Sequence, residues 1–207
     1  MTAPNFDYLD SMMWTIAASG LIVGIAALRV RYKASSDSFD EEEGKNARTG
    51  LGVALGLTGF YLFLAGISIS FVWPFSFSGG IYNILFGGSA TLAGLVLLST
   101  SAAFLLGRGL QGVSYFALVT GLYLLVDAYS ILTYSTGSVK ITSNPMQAAL
   151  VFLAPVAPLI LSVPATHTDN KWLRWLFAVF AFIFAIAWLY MAANTTYSHL
   201  APPTPTS

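Results

Sequence analysis

Apolar positions along the chain gather into six long runs, separated by short breaks that carry charges, glycines or prolines. A helix rising about 1.5 Å per residue crosses the hydrocarbon core with about 17–25 apolar residues. Stretches near 9–30, 50–72, 88–107, 112–134, 147–165 and 172–194 reach that length. The pattern predicts an all-α integral membrane bundle of six transmembrane helices, forming a single transmembrane domain over residues 1–207. Between the first two runs, residues 31–49 hold Arg31, Lys33, Asp37, Asp40, Glu41, Glu42, Glu43, Lys45 and Arg48, and read as a solvated loop. Trp73-Pro74 ends the second run, and the segment 73–87 reads as an aromatic, glycine-rich loop that packs on the bundle or on a partner. Asn144-Pro145 starts the fifth run as a cap followed by a first-turn proline. The tail 201–207, with Pro202, Pro203 and Pro205, is expected to be extended or disordered.

Composition sharpens this picture. Apolar residues make up 56% of the chain and charged residues 9%, against about 25% charged in soluble domains, which excludes a soluble globule. Nine basic and nine acidic residues cancel, so no net field recruits nucleic acid. The absence of cysteine excludes disulfides, thiolate metal sites and iron–sulfur clusters. Met1–Leu9 has no basic residue and no convincing cleavage site, so the first span is expected to stay in the protein. Lys and Arg in short loops are retained in the cytoplasm. Eight of the nine basic residues fall in the connections 1–2, 3–4 and 5–6, and only Lys140 on the other side. This places residues 31–49 in the cytoplasm, with the loop 73–87, the tail and both termini outside the cell membrane.

The chain repeats itself. Residues 58–69 and 120–131 match at Thr58/Thr120, Gly59/Gly121, Tyr61/Tyr123, Leu62/Leu124, Ser68/Ser130 and Ile69/Ile131, and Leu92-Ala93-Gly94 has a counterpart in Leu153-Ala154-Pro155. Both copies run in the same direction, so the expected architecture is three parallel two-helix repeats, pairing spans 2–3, 4–5 and 6–1 about an axis along the membrane normal. Chance similarity between apolar segments is the competing reading.

Candidate chemistry is sparse. Asp127 is the ionisable acid well inside a span, and an aspartate at a helix centre costs about 2.5–3.5 kcal/mol on insertion scales, so its face turns inward. Thr120, Tyr123, Asp127, Ser130 and Tyr134 follow at spacings of three and four on one face of the fourth span, with Tyr61 an available partner. That face reads as solute-contacting or proton-titratable, or else as a hydrogen-bonded structural pin. Pro155, mid-span, deletes a helical bond and frees carbonyls toward a wet cavity or a static kink. His167 and His199 fall on opposite sides of the membrane, which argues against haem, and neither a cofactor nor a metal is expected. Gly20, Gly24, Gly52, Gly56 and Gly59 are spaced for close helix contact. Neither a phosphate loop nor a nucleophile triad is present, so an enzyme is not expected.

Phe71-Val72-Trp73-Pro74, the run Tyr82-Asn83-Ile84-Leu85-Phe86-Gly87, Thr120-Gly121-Leu122-Tyr123 and the end Tyr190-Met191-Ala192 through Ser198-His199-Leu200 together resemble the prokaryotic membrane family DUF981. The resemblance covers nearly all of the chain after about residue 50 and implies a six-span protein without implying an activity. In topology alone the chain is similar to the amide and urea channels. Two functions follow as expectations: a channel or facilitator for a small neutral solute, and a non-catalytic accessory subunit of a larger membrane complex, such as a respiratory one, with Trp73, Tyr82, Asn83 and Phe86 as the interaction surface. A proton-coupled transporter using Asp127 is a third. The expected partners are the lipid bilayer and either further copies of the chain or other membrane subunits, with no nucleic acid.

Overall fold

Apolar segments in a bilayer must satisfy their backbone groups internally. The computed structural model describes residues 8–30, 41–74, 81–134, 144–168 and 170–200. They form α1 (Tyr8–Arg29), α2 (Glu41–Val72), α3 (Ile81–Leu105), α4 (Gln111–Tyr134), α5 (Pro145–Leu153), α6 (Val156–His167) and α7 (Lys171–Leu200), with no strand among the described residues. Six spans are long and apolar enough to cross a membrane, α5 and α6 together making the fifth. Leu57, Phe60 and Leu64 on α2, Val119 and Val126 on α4, and Ile183 and Ile186 on α7 turn outward, as a lipid-facing surface requires. The protein is a multi-pass membrane bundle.

Three boundaries differ from expectation. The segment 31–49 is not a loop throughout: α2 begins at Glu41 and runs through Lys45, Ala47 and Arg48, residue types that favour helix. The loop 73–87 is shorter as well, since α3 begins at Ile81 and carries Tyr82, Asn83 and Phe86 in its first turns. Gly87-Gly88 does not break that helix. A Cβ on Gly87 would stand 2.6 Å from Ser70 Oγ and one on Gly88 2.3 Å from the Tyr123 hydroxyl, so these glycines admit close neighbours. The last helix also outruns its predicted end at 194 and continues to Leu200. Trp14 Nε1 donates to Thr196 Oγ1 at 3.0 Å there and ties α1 to α7. The positions 31–40, 75–80, Lys140 and the tail 201–207 lie outside the described residues.

The most extensive helix contacts join α2 with α3, α1 with α7, and α4 with α5 and α6, which is the pairing the repeat predicts. Small residues set the α2–α3 distance: a Cβ on Gly66 would lie 2.4 Å from the Thr91 nitrogen and one on Gly94 2.5 Å from the Phe63 nitrogen. Where lipid removes the hydrophobic drive between helices, such backbone approach and its dispersion contacts hold the pair. The repeat keeps its register. A Cβ on Gly59 would meet the Leu98 nitrogen at 2.8 Å, and one on its counterpart Gly121 would meet the Cβ of Leu159, the counterpart of Leu98, at 3.1 Å.

Trp73 adopts a left-handed backbone (φ 53) after α2, and its N–H reaches the Ile69 carbonyl at 3.1 Å. Because Pro74 disfavours a helical residue before it, the chain turns off at this point. The fifth span breaks at Ala154-Pro155. Proline offers no N–H, so the carbonyls of Val151 and Ala154 lose the donors that residues 155 and 158 would supply in a regular helix.

Candidate functional site

The helix pairs enclose a cavity of about 160 Å³, lined from all six spans. Most of its wall is apolar, including Val23, Leu55, Ala93, Leu97, Ala117 and Ala181. Phe104, Leu110 and the half-buried Arg174 close the end remote from the chain termini, and Phe152 and Trp188 close the other. A second cavity of about 50 Å³ continues toward the terminal end, lined by Met13, Tyr82, Leu85, Phe86, Ile131, Ala148, Val151 and Met191. Phe152 and Trp188 belong to both walls. Their rings are tilted by 60° at 5.8 Å, Phe86 meets Phe152 edge-on at 5.6 Å, and Tyr82 stacks on Phe86 at 5.8 Å. A chain of four aromatic rings therefore reaches the partition between two consecutive cavities.

Apart from Arg174 and Trp188, the polar side chains of the larger cavity are hydroxyls that bond carbonyls of their own helices, and Ser162 also reaches the Ser114 carbonyl of α4 at 3.3 Å. Ser19 donates to the Ile16 carbonyl at 2.7 Å, Thr100 to Val96 at 2.7 Å, Ser114 to Gln111 at 2.7 Å and Thr120 to Phe116 at 3.0 Å. Ser162 donates to Leu159 at 2.6 Å, Thr166 to Ser162 at 2.8 Å, and Ser89 to Leu85. Each hydroxyl proton is thereby used inside the helix, while the oxygen keeps acceptor capacity. Trp188 is 4% exposed, and its Nε1 has no hydrogen-bond partner among the described residues.

The residues singled out in the sequence divide into groups. Thr120 and Pro155 lie in the wall of the larger cavity, and Tyr82 and Phe86 in that of the smaller. Asp127 is 5% exposed, lines neither cavity, and has a buried Oδ2 without a hydrogen-bond partner among the described residues. At about 100° per residue, Asp127 lies about 60° and Tyr123 about 100° around α4 from the lumen-facing Leu124. That rotation turns them toward α3, where the Tyr123 hydroxyl sits over Gly88. Tyr61 bonds instead to Ser11 Oγ at 2.5 Å, joining α2 to α1. Ser130 is half-buried and Tyr134 exposed, and neither lines a cavity. Trp73 is exposed at the end of α2, whereas Asn83 is buried inside the bundle. His167 lies at the end of α6, with Nδ1 at 2.8 Å from the Val163 carbonyl and its ring against Tyr115.

Sequence reasoning missed Phe152, Trp188 and Arg174 as wall residues. Trp188 carried a readable signal: membrane tryptophans favour the interfaces, and this one lies deep within the sixth apolar run, well inside α7. Phe152 carried another, standing just before the Ala154-Pro155 break.

Over residues 1–202 the sequence matches the family described as Protein of unknown function (DUF981). No curated protein matches it. Among solved structures, the fold is similar to that of the Helicobacter pylori urea channel in its closed state, determined by cryo-electron microscopy, with a TM-score of 0.68 at 15% identity. The superposition covers 93% of this chain and 100% of that one. The likeness is one of fold, and it bears out the topological resemblance to the amide and urea channels.

Proposed function

The chain belongs to the DUF981 family of unknown function, and we propose that this member is a channel or facilitator for a small neutral solute. The observation that carries the reading is the pair of cavities separated by Phe152 and Trp188, a pathway through the helix bundle interrupted by side chains. Hydrophobic constrictions of this kind gate by excluding water. An uncharged cargo suits a wall that has little to offer a bare ion. The fold shared with a urea channel supports the same reading and makes urea the first solute to test.

Within this reading, Thr120, Pro155, Tyr82 and Phe86 line the pathway, Asp127, Tyr123, Ser130 and Tyr61 serve the packing of the helices around it, and the exposed Tyr134 does neither. The distribution of basic residues supports a cell-membrane orientation with both termini outside and Arg174 at the cytoplasmic mouth. The outward apolar surface supports the lipid bilayer as partner, with further copies of the chain or other membrane subunits beside it.

Stopped-flow light scattering on proteoliposomes tests the function. An inward urea gradient should relax faster across vesicles containing the protein than across empty ones. Equal rates for urea, acetamide, glycerol and water would overturn the proposal.

A further inference from the structure

We propose that the larger cavity is a binding site for a medium-chain carboxylate, with its head on Arg174 and its alkyl tail along the bundle axis. The wall is apolar over most of its length, through Val23, Ala93, Val113, Leu159, Phe177 and Phe184. Its hydroxyls are withdrawn, Thr120 being fully buried and Ser114 2% exposed. A water molecule held there needs about two to four polar partners, which this wall does not supply, so the space stays dry. Dry apolar cavities of about 150 Å³ take up benzene, and this one measures about 160 Å³. Its shape is different. The wall runs from Leu110 to Leu124 on α4 and from Arg174 to Trp188 on α7, about 21 Å along either helix at about 1.5 Å per residue. A volume of that size drawn out along an axis suits a short chain rather than a ring, and the chain restores dispersion contacts that an empty cavity forfeits.

The two ends of the cavity differ in charge. Arg174 belongs to the wall at the end remote from the chain termini, is half-buried, and forms no ion pair among the described residues. Arg29, Arg108 and Lys171 stand exposed at the same end of the bundle, so the field there is positive. At the other end the rings of Phe152 and Trp188 close the space without a charge. An alkyl tail alone gains little by leaving lipid, which is equally apolar. A carboxylate on the guanidinium adds a charge-assisted pair and fixes the direction of the chain, whereas an ammonium head is repelled. The site needs only the cavity and Arg174, and a tail seated there obstructs the space that the channel reading treats as the pathway.

Titration calorimetry of the purified full chain tests the site with three ligands that share one tail: octanoate, octanol and octylammonium. Octanoate should bind once per chain. Octanol should bind at least about tenfold more weakly, the factor carried by one hydrogen bond to a charged group, and octylammonium should not bind. Arg174→Gln should weaken octanoate by the same factor and leave octanol unchanged, while Arg174→Lys keeps most of the affinity. Ala117→Phe, midway along the α4 wall, should abolish binding with Arg174 intact, its thermal unfolding confirming that it is folded. Ala93→Phe fills the space from α3 and serves where the first variant does not fold. Absent octanoate binding, equal affinity for all three heads, or unaltered octanoate binding in the filled variants overturns the inference. The measurement is made at equilibrium without flux, so it leaves the channel reading untouched.

Discussion

Phe152 and Trp188 stand 5.8 Å apart, ring centroid to ring centroid, and each forms part of the wall of both cavities. One residue comes from the short α5 and the other from the middle of α7, so the partition is made by two helices that contact each other sparingly. Its integrity depends on side-chain packing, and single substitutions should reveal its function.

Phe152→Ala removes one side of the partition and joins the two cavities. Urea-driven relaxation of proteoliposomes is expected to rise severalfold above the wild-type rate, with discrimination by solute size weakened. An unchanged rate and unchanged size dependence would place the limiting step elsewhere.

Trp188→Phe keeps an aromatic ring and deletes an N–H that has no partner among the described residues. An unsatisfied buried donor costs about 1–3 kcal/mol, so the variant should unfold in detergent at the same temperature as wild type or slightly higher. Urea flux should nevertheless fall. A matching fall in stability would assign Trp188 to packing alone.

Gly66→Ala and Gly44→Ala lie on the same helix and should behave oppositely. A Cβ at position 66 would stand 2.4 Å from the Thr91 backbone nitrogen, and one at position 44 meets nothing within 4 Å. The first is expected to destabilise by about 1–3 kcal/mol, the usual cost of overpacking. The second should stabilise by up to about 1 kcal/mol, the helix preference of Ala over Gly. Thermal denaturation in detergent compares them directly.

Asp127→Asn should leave the protein folded and urea flux at the wild-type value, because the residue lines neither cavity. Flux of both proteins should follow the same course with pH. A pH dependence present in the wild type and lost in the variant would instead restore proton coupling through Asp127.

Orientation can be read with introduced thiols, since the chain contains no cysteine. In intact cells an impermeant maleimide should label Ser207→Cys, while Gly44→Cys should react only after permeabilisation. The reverse labelling would invert the orientation argued from the basic residues.

Much of the fold was legible because bilayer thickness constrains apolar length, and because a proline in mid-span announces itself, as Pro155 does. The Gly59 and Gly121 contacts show that the helix pairing was legible too, through a repeat whose register survives in space. Residues 41–49 were misread because hydropathy registers where a helix leaves lipid and is blind to where it stops. The start of α3 at Ile81 was hidden because the close neighbours that glycines admit, Ser70 at Gly87 and Tyr123 at Gly88, are invisible in one sequence. Thr120 and Asp127 of the stripe are buried while Tyr134 is exposed, and a helix packed against several neighbours has several inward faces. Choosing between the lumen and α3 requires knowing where the neighbours stand.

The interruption at Ala154-Pro155 has a mechanical consequence. It divides the fifth span into a nine-residue arm carrying Phe152 and a longer shaft carrying Ser162, with only Ala154 and Pro155 as the joint between them. A small change of backbone angles at such a joint swings an arm while the shaft stays seated. The moving part of this protein can therefore be as small as two turns of helix, with the remaining bundle as a fixed frame.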